Sequence, residues 1–129
     1  MLEMLAAIGL MAVLIALCLQ MLAATAAARR ASERRAVALQ EATNLLERVS
    51  TIPWSEVTAE RLSEVDVSPE VRALLPGAKA RLLTEGTKDN GPPGKRVRVE
   101  ITWTNATGDA DAPVGLTTWM YDLGTEAAQ

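Results

Sequence analysis

The sequence predicts an α+β protein. A long N-terminal helix, membrane-spanning in its first half, carries a small three-stranded antiparallel sheet head packed on its C-terminal half. Two observations lead to this prediction: residues 4–28 form an apolar run broken only by Gln20 and Thr25, and the last third of the chain alternates apolar with polar residues at the period of β-strands. At 129 residues the chain has room for one anchor and one small head.

Residues 1–28 are predicted to be a transmembrane helix, because about 20 apolar residues suffice to cross a bilayer. A cleaved secretory signal is the alternative, since residues 23–28 are rich in alanine and imitate a cleavage site. The apolar part of such a signal spans about 7–15 residues and follows a basic segment. This run is longer, and no Lys or Arg precedes it. Within it, Cys18 is expected to be a small apolar residue facing lipid or another helix; a lipidated or disulfide-forming cysteine is the alternative.

Residues 29–52 are predicted to continue the helix as an amphipathic segment, since no Gly or Pro occurs between Arg29 and Ser50. Pro53 should end the helix, near Thr51. One helical stripe is apolar, with residues spaced three or four apart: Ala38, Ala42, Leu45, Val49 and Ile52, widened by Leu39 and Leu46. The opposite side is assigned the charged residues Arg30, Arg34, Glu41, Glu47 and Arg48.

Residues 53–129 form the predicted head. Trp54 is expected to fold back on the helix or to cap the head core. Thr58 to Leu62 predicts a short helical turn. Ser68-Pro69-Glu70 predicts a helix start, with Ser as N-cap, Pro in the first turn and an acid near the positive end of the helix dipole. Pro76-Gly77 should stop that helix.

Three strands are predicted to follow, at residues 79–84, 96–104 and 114–122, joined as an antiparallel meander by loops rich in turn residues. The second strand alternates most clearly. Its expected core face consists of Val97, Val99, Ile101 and Trp103. The third strand should turn one side inward, comprising Val114, Leu116, Thr118 and Met120.

Composition narrows the possible functions. A net charge of −3 gives no electrostatic basis for nucleic-acid binding, and the absence of His leaves no histidine for metal or general-base chemistry. We therefore expect no enzyme, no catalytic residues, no cofactor and no metal site. Four loop residues have the oxygen ligands that Ca²⁺ prefers, but solvated turns explain them better: Asp89, Asn90, Asp109 and Asp111. Asn105-Ala106-Thr107 matches the glycosylation acceptor pattern, which we also interpret as an ordinary turn.

The segment Leu2-Glu3-Met4-Leu5-Ala6-Ala7-Ile8-Gly9-Leu10-Met11-Ala12-Val13 resembles the N-terminal helix of type IV pilins and type II secretion pseudopilins. In that family a hydrophobic helix with one early glutamate is first a membrane anchor and then the core of a filament. The resemblance implies that Glu3 acts in assembly, by pairing with the N-terminal amine of a neighbouring subunit. The alternative from the residues alone is an interfacial acid in the first helical turn, favoured by the helix dipole.

The resemblance also implies partners and location. The partners would be other pilin or pseudopilin subunits, an inner-membrane assembly platform, and a prepilin peptidase that cuts after a short basic leader ending in Gly upstream of the apolar run. The protein would cross the bacterial inner membrane once, with its head on the periplasmic side. The strand sequences at Val99–Trp103 and Leu116–Trp119 look more like the small heads of minor pseudopilins and minor pilins than like a large major pilin.

Small residues in the first half of the helix would suit close helix packing, namely Ala6, Gly9 and Ala12.

A second hypothesis, a single-pass membrane-anchored binding or adaptor module that forms no filament, needs neither Glu3 nor a peptidase. Four arginines directly after the apolar run bear on this choice: Arg29, Arg30, Arg34 and Arg35. The positive-inside rule would keep their side of the span in the cytoplasm, opposite to the pilin arrangement.

Overall fold

The structure, a computed structural model, describes residues 1–87, 93–105 and 107–122 and divides into two compact units, residues 1–34 and residues 35–129. The first helix, α1, covers Leu2–Ser50 and confirms the predicted long helix. Its last turn is closed by side chains: the Ser50 hydroxyl donates to the Glu47 carbonyl (2.6 Å) and the Thr51 hydroxyl to the Arg48 carbonyl (2.8 Å). Pro53 follows two residues later, where the chain can no longer continue the helix.

Three short helices connect α1 to the sheet. A 3₁₀ helix covers Trp54–Glu56, α2 covers Ala59–Ser63 and α3 covers Pro69–Leu74. Thr58 caps α2, since its side-chain oxygen accepts a hydrogen bond from the Arg61 backbone N–H. The predicted turn at residues 58–62 and the predicted helix after Ser68 are both present, although the Ser68 side chain makes no capping hydrogen bond.

The sheet is a three-stranded antiparallel meander of β1 (Lys79–Thr87), β2 (Gly94–Thr102) and β3 (Val114–Tyr121), with β2 in the centre. Its register places Ile101 of β2 opposite Ala80 on one side and Val114 on the other. The predicted fold class is therefore confirmed: one long N-terminal helix and a small antiparallel sheet that packs against it.

The core lies within residues 35–129, where the C-terminal part of α1 meets the inner face of the sheet. Leu45 of α1 and Ile101 of β2 are fully buried at its centre. A second, smaller cluster forms around Leu62 of α2. The main cluster contains Ala38, Ala42, Leu45, Val67, Leu75, Ala78, Val99, Ile101, Trp103 and Val114. The second contains Val49, Val57, Leu62 and Val97.

The alternation predicted for β2 and β3 is confirmed. Val97, Val99 and Ile101 are fully buried, and β3 alternates between an inner and an exposed side from Val114 onward. Trp103 is buried as predicted, although β2 ends one residue before it. Its ring N–H donates to the Asp111 carboxylate at 3.1 Å, so the polar edge of the indole is satisfied inside the core.

Two predictions for the amphipathic part of α1 are wrong. Leu39 does not widen the apolar stripe, since 46% of it is exposed. Glu41 does not lie on the solvent side: it is only 4% exposed, on the same face as Ala38 and Leu45. Glu41 lies three residues after Ala38 and four before Leu45, so all three side chains share one face of the helix. At this position the helical spacing, and not the charge of the side chain, determined its burial.

Candidate functional site

The exposed surface of residues 1–34 is the first candidate site. Every large apolar side chain between Met1 and Leu22 is more than half exposed, and no other part of the described chain covers them. By length and composition, α1 is suited to cross a membrane. Burying such side chains contributes about 1.5–3 kcal/mol each, and this exposed surface is compatible with a single-pass membrane anchor.

Glu3 is the only charged side chain among residues 1–28. It lies in the first turn of α1, where a carboxylate interacts favourably with the positive end of the helix dipole. The side chain is exposed, and within residues 1–87, 93–105 and 107–122 no ion pair involves it. Its predicted role in assembly stays a prediction, because the partner would belong to another chain.

The small residues of the predicted packing surface, Ala6, Gly9 and Ala12, are all exposed on α1. A Cβ built on Gly9 meets nothing within 4 Å, and Gly9 has no positive φ. Neither the backbone conformation nor the packing of this chain therefore requires glycine at this position. Gly costs about 1 kcal/mol relative to Ala inside a helix, and the predicted role of Gly9 in close packing with another helix stays a prediction. Cys18 is also exposed and unpaired, as expected for a small apolar residue on this surface.

Glu41 is a residue that sequence reasoning missed. Its Oε1 accepts a hydrogen bond from the backbone N–H of Ser68 at 2.7 Å. Ser68 is the N-cap of α3, and in a capping box this N–H would be satisfied by Glu or Gln three residues later. That position holds Val71, which packs against the core instead. Glu41 of α1 therefore supplies the hydrogen-bond acceptor that α3 lacks. This hydrogen bond attaches the segment between α1 and β1 to the long helix.

Lys95 is the second residue that sequence reasoning missed. Its ammonium donates to the backbone carbonyls of Trp54 (2.8 Å) and Val57 (2.9 Å), and it stands 4.5 Å from the centroid of the Trp54 ring. Trp54, half-buried, thus lies against a charge on the sheet. The partners are main-chain atoms some forty residues earlier, so no local pattern could have revealed this contact.

The loop between β2 and β3 holds two of the four oxygen ligands considered for Ca²⁺, and its polar groups satisfy one another. Asn105 Oδ1 accepts hydrogen bonds from the Thr107 and Asp109 backbone N–H groups, and the Thr107 hydroxyl donates to the Asp109 carboxylate at 2.8 Å. Asp111 accepts from the Trp103 indole. In the part of the chain that the structure describes, no group of three or more Asp, Glu, Cys or His side chains could hold a metal. Asp89 and Asn90, and Ala106 of the acceptor pattern, lie outside the described residues.

A groove of about 340 Å³ lies between the end of α1 and α2. Half of its lining is charged, and the Arg61–Glu64 ion pair at 2.7 Å occupies its α2 side. The lining residues are Arg48, Thr51, Ile52, Arg61, Glu64 and Val65. The groove is lined by no cysteine or histidine, and two of its three charged residues, Arg61 and Glu64, already neutralise each other.

Comparison of the chain with protein-family models, with curated proteins and with solved structures gives no match. The function therefore has to be inferred from the surfaces described above, among which the apolar surface around Glu3 is left uncovered by the rest of the described chain.

Proposed function

We propose that this chain is a structural, pilin-like subunit that assembles through its N-terminal helix into a type II secretion pseudopilus or a type IV pilus. One observation carries the proposal: α1 begins with a single carboxylate, Glu3, on an otherwise apolar and exposed helical surface. A plain membrane anchor has no need for that charge, because an ionised residue inside the bilayer costs roughly 2.5–3.5 kcal/mol on insertion scales.

Before assembly, the subunit would cross the bacterial inner membrane once, with the head on the periplasmic side. The length and composition of α1 support a single-pass anchor. After assembly, helices of neighbouring subunits would cover the same surface. Exposed Gly9, flanked by Ala6 and Ala12, supports this second state, since small residues let helices approach closely.

In the filament, Glu3 would pair with the N-terminal amine of a neighbouring subunit, and the pair would set the register between helices. Loss of either member of this ion pair would destabilise the filament because the pair is buried. Removing one member of a buried ion pair leaves the other charge uncompensated, at a cost of about 3–5 kcal/mol. The small three-stranded head supports a minor rather than a major subunit. The other proposed partners are an inner-membrane assembly platform and a prepilin peptidase.

The test compares Glu3→Ala and Glu3→Asp with a matched control, Glu33→Ala. Glu33 is an exposed carboxylate of the same helix with no ion pair in the described chain. Glu3→Ala should insert into membranes as well as the wild type or better, because a costly charge is gone. It should nonetheless fail to assemble, because the partner amine is left buried and unpaired. Glu3→Asp should be intermediate, with the charge retained on a shorter side chain.

The measurements are crosslinking between subunits, and secretion or piliation in cells carrying each variant as the only copy. Glu33→Ala should behave as the wild type. Normal assembly of Glu3→Ala at normal protein levels would contradict the proposal and leave Glu3 as an ordinary acid at a helix start.

The second candidate is a membrane-anchored binding or adaptor module without a filament. The arginines at positions 29, 30, 34 and 35 favour it, because the positive-inside rule would hold the following head in the cytoplasm. Protease accessibility of the head in spheroplasts separates the two functions: a periplasmic head is cleaved, whereas a cytoplasmic head is protected until the membrane is opened.

A further inference from the structure

The side of the sheet that faces away from α1 carries an unusual set of exposed side chains. The strand register brings Leu83 of β1, Arg98 of β2 and Thr117 of β3 side by side there. We call this side the outer face, and its largest side chains are Arg81, Leu83, Arg96, Arg98, Trp119 and Tyr121. Trp119 is 49% exposed, Tyr121 52% and Leu83 38%.

Two arginines of the outer face, Arg96 and Arg98, contact residues of the neighbouring strands. Arg96 forms an ion pair with Glu85 on β1, and its guanidinium carbon is 5.8 Å from the centroid of the Trp119 ring on β3. Arg98 lies over Gly115, where a Cβ would be 3.6 Å from its Nη2. These contacts hold flat guanidinium groups beside an exposed indole. Trp, Tyr and Arg are the residues most enriched at the energetic centres of protein interfaces.

The outer face is also basic. It carries two carboxylates, Glu85 and Glu100, and four cationic side chains, namely Lys79, Arg81, Arg96 and Arg98. Lys79 and Arg81 are exposed, and neither forms an ion pair within the described residues.

Residues 56–70, here called the acidic connector, have the opposite charge. This segment contains five carboxylates and one guanidinium group, that of Arg61. Glu56, Glu60 and Glu70 are exposed, and no ion pair involves them in the part of the chain that the structure describes. Val57 and Leu62 of this segment are buried with Val97, on the inner side of the sheet. The acidic connector and the outer face are therefore different surfaces of the same head and do not neutralise each other within one molecule.

We propose that the outer face of the sheet docks the acidic connector of a second copy of this chain. Trp119 and Leu83 supply the apolar centre of the contact, and Arg81 and Lys79 meet the connector's unpaired carboxylates. The proposal rests on the function proposed above, to which it adds a contact between heads.

The opposite charges of the two surfaces select a second copy as the occupant. A contact between two different patches is heterologous, so a pair of copies keeps one free patch of each kind and can bind further copies. Such a contact forms an open helical array when its rotation does not close into a ring, and an open array is the arrangement that a filament subunit needs.

The experiment uses the full chain with Cys18→Ser, so that introduced cysteines are the only thiols. One tagged copy carries Thr117→Cys on the outer face, and a second, differently tagged copy carries Ala59→Cys in the connector; both positions are exposed. A short bismaleimide should link the two copies in membranes. Asn44→Cys, an exposed position on α1, replaces Ala59→Cys as the control and should link much less.

Charge reversal then tests the chemistry. Arg81→Glu in the first copy, or Glu60→Arg in the second, should each lower the yield of the crosslink about five- to tenfold, and the two together should restore it. Glu47→Arg is the matched control, since it makes the same charge change at an exposed site on α1 outside the connector.

Co-purification of the two tagged copies separates this inference from the proposed function. Copies that co-purify without the specific crosslink, or with a crosslink insensitive to charge reversal, overturn the docking of the outer face and leave assembly through α1 standing. Copies that do not co-purify at all overturn both. Loss by each single reversal and recovery by the pair establishes the contact.

Discussion

Glu41 of α1 accepts a hydrogen bond from the backbone N–H of Ser68 at 2.7 Å, across 27 positions of sequence. The carboxylate is almost completely buried, on the same helical stripe as the core residues Ala38 and Leu45. The contact joins the connector to α1 at the point where α3 begins. Among the described residues, no buried side-chain polar atom lacks a hydrogen-bond partner, and Glu41 is the only charged side chain that is buried.

Glu41→Ala should lower the free energy of unfolding by about 1–3 kcal/mol, because the Ser68 N–H loses its acceptor in a part-buried position. Glu41→Gln keeps a carbonyl acceptor and should cost about half as much, since hydrogen bonds to a charged group are roughly twice as strong as neutral ones. Urea unfolding of the full chain in detergent, followed by tryptophan fluorescence, measures both. Glu47→Ala, at an exposed site on the same helix, is the control and should change stability by less than about 0.5 kcal/mol.

Ile101→Ala should cost about 2–5 kcal/mol, because it leaves a cavity at a fully buried position of the central strand. Thr102→Ala, one residue further on the exposed side, should stay within about 0.5 kcal/mol of the wild type. The same urea titration compares the two variants. Equal losses at both positions would contradict the assigned inner and outer sides of β2.

The exposed apolar surface of residues 1–28 predicts integral membrane behaviour. The full chain should sediment with membranes and resist extraction by alkaline carbonate. A variant without these residues should be soluble and keep the circular dichroism of its sheet, because the core lies entirely within residues 35–129. Recovery of the full chain in the soluble fraction without detergent would refute the anchor.

Gly9→Leu should weaken association between copies without weakening membrane insertion. The substitution raises both the hydrophobicity and the helix propensity of α1, and in the described part of the chain a Cβ at Gly9 meets no atom within 4 Å outside the neighbouring helix backbone. Only a closely approaching neighbour would be displaced. Ala7→Leu on the same apolar run is the comparison, and carbonate extraction together with crosslinking yield provides the measurement. Unchanged crosslinking in Gly9→Leu would place this glycine away from any helix contact.

An unbroken apolar run predicted the first part of α1, and hydrophobic spacing predicted its C-terminal part, β2 and β3, because each of these has one face in the core and the other exposed. Val97, Val99 and Ile101 follow the period of two so regularly that their burial could be predicted without further information. Glu41 was misplaced because its charge was given more weight than its position three residues after Ala38.

Contacts between distant polar groups were beyond prediction. Lys95 donates hydrogen bonds to the backbone carbonyls of Trp54 and Val57. The residue types at these positions do not reveal that their carbonyls act as acceptors. For the apolar surface the limit is different. Glu3 is conspicuous in sequence, but whatever covers Glu3 and Gly9 belongs to other molecules, so its identity is not encoded in the contacts of one chain.

The core of the head imposes an order of events during synthesis. Ala38 and Leu45 pack against Trp103 and Val114, so the core cannot close until β3 has left the ribosome. The apolar residues 1–28 emerge some ninety residues before the end of β3. At roughly 5–20 residues per second, that interval is on the order of 5–20 s. If the chain is the membrane subunit proposed above, delivery of residues 1–28 to the membrane would have several seconds in which the core of the head has not yet closed.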